Sequence, residues 1–220
     1  RLPAGTVPAS AFTDDNFSLM ICLGGDGTLI HGIRRFWPIS VPVAGISLGS
    51  LSFNSVVQPE KLIDFMRAWM GGNTHVSERL ILKVQRIHNN EVIDENIAVN
   101  DVVLKQAGTR LIYLTMKHGN HLISRYAADG LILSTPTGST AYNLSAGGPI
   151  LYPEMRALLA TAICPHTLAY RPVILPPESP VTLEFDPHHG RRDALLLIDG
   201  QERWPISEGD KVCLSTEPTP

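Results

Sequence analysis

The residues best suited to chemistry stand near the start of the chain, in Gly24-Gly25-Asp26-Gly27-Thr28. Three glycines let the backbone approach phosphate oxygens that any Cβ would hold away, and a helix N-terminus directly after them favours anions. A carboxylate inside such a loop repels phosphates unless it holds a divalent cation or takes a proton from an attacking hydroxyl. Both tasks belong to phosphoryl transfer. The structural alternative is a tight turn in which Asp26 caps a helix at Gly27. A second run, Asp129-Gly130-Leu131-Ile132-Leu133-Ser134-Thr135-Pro136-Thr137-Gly138-Ser139-Thr140-Ala141-Tyr142, threads hydroxyls through a turn into a helix start. Such a cluster suits the polar edges of a nucleotide, with Tyr142 offering a face for a base. A Ser/Thr-rich helix cap leading into the small-residue stretch Ser145-Ala146-Gly147-Gly148-Pro149 explains the same residues without a ligand.

The elements that must position these residues follow from periodicity. Residues 18–23 form a short apolar run before the glycines, and Leu29, Ile30, Ile33 and Phe36 then recur at helical spacing up to Pro38, which reads as strand, loop, helix. Residues 41–46 read as a second buried strand. Pro59 opens a helix striped by Leu62, Ile63, Phe65, Met66 and Trp69 and closed by Gly71-Gly72. From about Val76 the pattern becomes β-rich, with strands expected over 80–87, 97–104, 111–116, 121–126, 131–133, 172–175, 181–185, 194–198 and 211–215. Asn89-Asn90 and His118-Gly119-Asn120 are hairpin turns by composition. Helical stretches are expected around 139–145 and 154–160. The domains are therefore an α/β unit over 1–74 with parallel pairing and a β-rich, mainly antiparallel unit over 75–220, whose last strands are left free to return to the first.

Composition bounds the rest. A chain of 220 residues with 44% hydrophobic content buries a core, and a net charge of −3 gives no broad attraction for nucleic acid or anionic membranes. The three cysteines, Cys22, Cys164 and Cys213, lack the spacing of a disulfide framework or zinc site, which fits a reducing cytoplasm. No apolar run approaches membrane-spanning length, and residues 1–5 do not begin a secretory signal. An opening Arg1 and a Pro-rich end read as part of a longer gene product. His188-His189 and Arg191-Arg192-Asp193 read as solvated turns, His166 as a buried imidazole bonded to backbone or a catalytic one, and Trp37, Trp69 and Trp204 as core or interface anchors.

Four blocks together resemble the NAD kinases in order and spacing: Gly24 to Thr28, Asn100-Asp101, Asp129 to Tyr142 with Ser145 to Pro149, and Cys164-Pro165-His166-Thr167-Leu168. The resemblance runs from about Leu19 to Leu214. It implies a Rossmann-like α/β domain followed by a β-sandwich-like domain, the NAD kinase/diacylglycerol kinase-like fold, with substrate bound between domains. It implies Asp26 as general base toward the adenosine ribose 2′-hydroxyl of NAD, and Gly24, Gly25, Gly27 and Thr28 as the phosphate-facing loop. His31 falls where many members place a basic residue near the dinucleotide. Asn100 and Asp101 match an Asn-Glu pair that grips adenine and ribose. Asp129, Thr137, Thr140, Ala141, Tyr142 and Ser145 match dinucleotide contacts, some reaching a neighbouring subunit's site, and Gln201 matches a late contact. Mg²⁺ with ATP or polyphosphate as donor, and a homodimer or homotetramer, are implied in the same way; no protein-held metal ligand is assigned.

The departures carry expectations too. Residues 47–54 keep part of a family segment but lose its second glycine. Asp101 replaces the usual glutamate, one methylene shorter, with its acceptor chemistry expected unchanged. Ala127 stands two residues before Asp129 where many members have arginine. Two rival readings follow: a lipid kinase sharing the glycine loop, against which the hydroxyl block and the lack of membrane-facing stretches speak, and a dinucleotide sensor without turnover.

Overall fold

The computed structural model describes residues 17–38, 41–49, 53–55, 57–108, 111–167, 169–186 and 194–217, which divide after Ser77 into two compact units. In the first, β1 (Met20–Leu23) pairs in parallel with β2 (Val43–Ile46), Met20 opposite Val43 and Leu23 opposite Ile46. Parallel neighbours need a crossover, and α1 (Asp26–Phe36) supplies it, turning Leu29 and Ile30 inward. A 3₁₀ turn at Pro59–Lys61 leads into α2 (Leu62–Met70), where the half-buried Leu62, Phe65, Met66 and Trp69 follow i, i+3, i+4, i+7 spacing while Ile63 faces solvent.

The second unit is two six-stranded antiparallel sheets sharing one core. Its strands are β3 (Ile81–His88), β4 (Glu91–Ala98), β5 (Asp101–Gln106), β6 (Ile112–His118), β7 (His121–Ala128), β8 (Gly130–Ser134), β9 (Leu158–Ile163), β10 (Val173–Leu175), β11 (Val181–Asp186), β12 (Ala194–Ile198), β13 (Glu202–Ile206) and β14 (Lys211–Glu217). One sheet runs β10-β9-β8-β5-β12-β13 and the other β4-β3-β14-β11-β6-β7. Leu104, Leu131, Leu158 and Leu196 of the first sheet and Leu82, Leu114, Leu183 and Leu214 of the second meet in a single buried cluster, the arrangement of a β-sandwich. Strands β12 to β14, left free by the sequence to return to the first unit, all pair within these two sheets. Trp204 lies in this core, whereas Trp37 and Trp69 are half-buried.

Two expectations need correction. The stretch 154–160 is not helical: it turns at 153–154 and enters strand β9, where Leu158, Leu159, Ala160 and Thr161 are all buried between β8 and β10. Ala157-Leu158-Leu159-Ala160 has helix-favouring composition, but a strand covered on both faces is apolar at every position, so periodicity cannot separate the two. The stretch 97–104 is not one strand. β4 ends at Ala98 in one sheet and β5 begins at Asp101 in the other, so Val99-Asn100 is the corner where the chain changes sheets. The helical stretch expected around 139–145 is present, as a 3₁₀ turn, Thr137–Thr140, followed after Ala141 by a one-turn helix, α3 (Tyr142–Ser145). The hairpin turns are as expected, Asn89 and Asn90 both taking positive φ (51° and 65°).

Candidate active site

The glycine loop is built so that its bare positions face outward. Gly24 sits at φ +152°, and a Cβ there would lie 2.4 Å from Thr28 Oγ1, so this glycine is required by the loop's own packing. Gly25 and Gly27 differ: an added Cβ would meet nothing within 4 Å at either. Their missing side chains therefore leave open surface at the start of α1, where backbone N–H groups and the helix dipole favour an anion.

The helix cap is Gly25, with no side-chain cap hydrogen bond, and Asp26 is the first helical residue. The capping alternative for Asp26 thus fails. Its carboxylate instead accepts three backbone N–H groups from the chain after β2: Phe53 to Oδ2 at 2.9 Å, Asn54 to Oδ1 at 2.9 Å and Ser55 to Oδ1 at 3.1 Å. Charge-assisted bonds of this kind hold a carboxylate in one orientation. Phe53, Asn54 and Ser55 are therefore tied to Asp26 by their backbone, which their side chains do not disclose; Ser50, Leu51 and Ser52 lie outside the described residues. Thr28 and His31 are exposed on α1.

In the second unit the corner Val99-Asn100-Asp101 is held on both sides. Asp199, at φ +50° in the β12–β13 turn, accepts N–H groups from Val99 (Oδ2, 2.9 Å), Asn100 (Oδ1, 2.7 Å) and Asp101 (Oδ1, 3.1 Å), and its own N–H donates to the Asp101 carbonyl at 2.9 Å. From the hydroxyl run, Thr135 Oγ1 donates to the Val99 carbonyl at 2.6 Å and the Thr135 N–H to the Asn100 carbonyl at 2.9 Å. Gly138 packs so closely that a Cβ would fall 2.1 Å from the Asn100 oxygen.

Much of the hydroxyl run is spent internally. Ser139 Oγ donates to the Pro136 carbonyl (2.6 Å) and accepts the Leu151 N–H (3.0 Å), and Asn143 bridges the Ser139 and Pro149 carbonyls to the Thr161 hydroxyl. Ser134, Thr135, Ser139 and Asn143 are the frame, in keeping with the ligand-free alternative for those positions. Two atoms escape that accounting: Asn100 Oδ1 and Thr137 Oγ1 are buried with no hydrogen-bond partner among the described residues. Buried polar atoms are nearly always paired, so these two suit a ligand's polar groups. Tyr142 is 42% exposed, and Thr140, Ala141 and Ser145 are half-buried or exposed beside it.

Asp101 departs from its expected chemistry. It is 5% exposed, and burial first, then the negative charge of Asp199, push its carboxyl from 3.8 up to about 7, against the lowering effect of the Tyr142 backbone N–H bonded to it. At neutral pH it is therefore partly protonated and able to donate as well as accept, rather than acceptor-only. The folded value lies above the unfolded one, so this group's contribution to stability is full below about pH 4 and is lost as pH rises through about 7. Asp101→Asn should accordingly flatten the decline in urea-unfolding free energy between pH 5 and pH 8 by on the order of a few kcal/mol. Parallel curves for the two proteins would contradict the assignment.

The structure gathers Asn100, Asp101, Thr137 and Tyr142, and Gln201 follows the Asp199-Gly200 turn that holds the corner. Asp129 is not among them. It precedes β8 at the end paired with Lys105, whereas Asp101 pairs with Ser134, a separation of about 16 Å along the strand; its carboxylate accepts from Gln106 Nε2 at 3.2 Å. His166 is exposed, with only its backbone N–H donating to the Ala127 carbonyl, so the buried-imidazole reading does not hold. Leu168, His188-His189 and Arg191-Arg192-Asp193 lie outside the described residues. Sequence reasoning missed Asp199 as a clamp; its Asp-Gly pair, a hairpin signal, was the available clue.

Residues 6–73 match the ATP-NAD kinase N-terminal domain and residues 99–219 the ATP-NAD kinase C-terminal domain. The chain belongs to the NAD kinase family. It is 38% identical over 193 residues to the NAD kinase of Desulforamulus reducens, covering 87% of this chain and 66% of that protein, and 40% identical over 195 residues to that of Heliobacterium modesticaldum, covering 88% and 68%. It thus spans about two thirds of the length of these relatives. Among solved structures, yeast NADH kinase complexed with NADH superposes with a TM-score of 0.85 at 31% identity, over 92% of this chain and 59% of that one. An NAD kinase from Archaeoglobus fulgidus in complex with ATP shares the fold, with a TM-score of 0.75 at 20% identity over 92% and 76%. These likenesses favour the NAD kinase reading over the lipid kinase. Among the described residues, no helix is long and apolar enough to cross a membrane.

Proposed function

We propose that this chain is the catalytic part of an NAD kinase that phosphorylates the adenosine ribose 2′-hydroxyl of NAD to give NADP, with ATP or polyphosphate as donor. One observation carries the reading: a carboxylate, Asp26, fixed by three backbone N–H groups in the first turn of a helix whose preceding glycines leave room for phosphate. Asp26 takes the proton of the attacking hydroxyl, the ribose oxygen bonds to the terminal phosphorus, and the bond from that phosphorus to its bridging oxygen breaks, releasing ADP or a shortened polyphosphate. Asn100, Asp101, Thr137, Thr140, Ala141, Tyr142, Ser145 and Gln201 recognise the dinucleotide, Tyr142 by its exposed ring, and His31 lies toward its charged part. Gly24, Gly25, Gly27 and Thr28 receive the phosphates.

As the family resemblance implies, we infer that a Mg²⁺ arrives with the phosphates of the donor. That ion would neutralise charge on the transferring group. From the family resemblance we carry over a homodimer or homotetramer, with some of the dinucleotide contacts serving the site of a second copy. We place the protein in the cytoplasm on its cysteine pattern.

Two measurements test this reading. NADP formation should require NAD and a phosphate donor; tight NAD binding without turnover would select the sensor, and turnover only with a lipid the lipid kinase. The open space beside Gly25, at an ordinary φ of −84°, gives a sharper test. Gly25→Ala should fold with unchanged or slightly raised stability, by up to about 1 kcal/mol, while its methyl group raises the KM for ATP about tenfold. Unchanged ATP kinetics would remove the phosphates from this loop.

A further inference from the structure

Beyond the residues that touch substrate, we infer that Asp199 is the positioning residue of the dinucleotide site, its one carboxylate holding Asn100 and Asp101 in binding geometry and its charge acting on Asp101. This inference rests on the NAD kinase reading above.

Three consecutive N–H groups, from Val99, Asn100 and Asp101, converge on the two oxygens of Asp199 at 2.9, 2.7 and 3.1 Å. A single side chain thereby satisfies the backbone donors of the corner where β4 leaves one sheet and β5 enters the other. Neither strand ladder supplies partners to all three in that crossing, so an ordinary strand cannot take the shape; an anion is the group that three convergent N–H dipoles accept best. Asp199 reaches them because Asp199 and Gly200 both adopt positive φ, 50° and 65°, in a tight hairpin turn. Gln201 follows directly, so the same turn carries a ligand-facing residue and the clamp.

The second effect is electrostatic. Asp101 is met from the β12–β13 turn by the charge of Asp199, from α3 by the Tyr142 backbone N–H, and across the β5–β8 ladder by the neutral Ser134. Of these only Asp199 is charged, and its repulsion adds to burial in keeping Asp101 partly protonated at neutral pH. Removing that charge frees Asp101 to ionise at lower pH, turning a group that can donate to a ribose oxygen into one that only accepts.

The test compares wild type, Asp199→Asn and Asp101→Asn by calorimetric NAD affinity and NADP-formation kinetics from pH 5.5 to 8.5. Wild type should show an ionisation in NAD affinity near pH 7 that Asp101→Asn abolishes. In Asp199→Asn the midpoint should fall, and the KM for NAD should rise about tenfold with kcat within about threefold, since the clamp acts on binding and not on the phosphoryl group. A loss of packing alone would lower stability without moving the midpoint. If Asp199→Asn does not fold, the wild-type and Asp101→Asn curves still decide: a flat wild-type curve, or an ionisation that survives Asp101→Asn, overturns the inference. An active wild-type enzyme with an unmoved midpoint and KM in Asp199→Asn defeats this inference alone, whereas a wild type that makes no NADP defeats the reading beneath it.

Discussion

Asp26→Asn should lower kcat for NADP formation by about a thousandfold while changing NAD affinity less than about threefold. The amide has the shape of the carboxylate but cannot take the proton of the ribose hydroxyl. A structural cost accompanies the chemical one. Three N–H groups converge on the carboxylate, and an amide can turn only one oxygen toward them, so an N–H of Asn faces at least one backbone donor. That mismatch costs about 1–3 kcal/mol, spent locally on the 53–55 segment. Thermal unfolding run beside the kinetics separates the two effects. A variant that keeps its unfolding temperature within a few degrees and loses a thousandfold in turnover has lost a base. Turnover within about tenfold of wild type would leave Asp26 as a tether for that segment, with the base to be sought elsewhere.

Gly138→Ala should lower stability by about 3 kcal/mol, or about 6–12 °C in unfolding temperature, and weaken NAD binding by at least about tenfold. The added methyl carbon would fall 2.1 Å from the Asn100 carbonyl oxygen and 2.4 Å from its carbon. Those are backbone atoms, themselves pinned by Asp199 and Thr135, so no side-chain rotation relieves the overlap. Either the 3₁₀ turn lifts away from the corner or the corner leaves its clamp. Both outcomes displace Thr137 and Asn100, whose buried oxygens are assigned to the ligand. Scanning calorimetry and NAD titration on the variant check the pair of effects; a protein that unfolds within about 2 °C of wild type would mean that the turn is looser than its packing indicates.

What could be read from residues alone divides along a physical line. Local motifs were legible: the glycine loop, the hairpin asparagines and the hydroxyl run owe their form to dihedral preferences and short-range bonds. That the second unit is β-rich and mainly antiparallel was legible from its many short β-rich segments, whereas its division into two sheets was implied only by the family resemblance. The corner at Val99-Asn100 was not, because the two polar residues Asn100-Asp101 between apolar runs fit a polar spot within one strand as well as a break, and only the sheets to which each half pairs decide between them. β9 was misread because a strand buried on both faces carries no alternation. The clamp, and part of the upward shift of the Asp101 carboxyl, depend on a turn about a hundred residues further along the chain, a distance at which no pattern in the sequence speaks. Even so, the corner's Asn-Asp pair and the Asp-Gly turn were in plain sight; what was lacking was the knowledge that they meet.

β8 is buried at every position from Gly130 to Ser134, and the hydroxyl run leaves its end directly. The backbone of the proposed nucleotide site is thus continuous with a strand of the sandwich that is buried at every position. Adaptation to differing ligands must then fall to the solvent-facing ring of Tyr142 and its neighbours. A lineage that drifts toward another nucleotide would be expected to alter that rim first, since remaking what lies underneath means remaking the protein's interior.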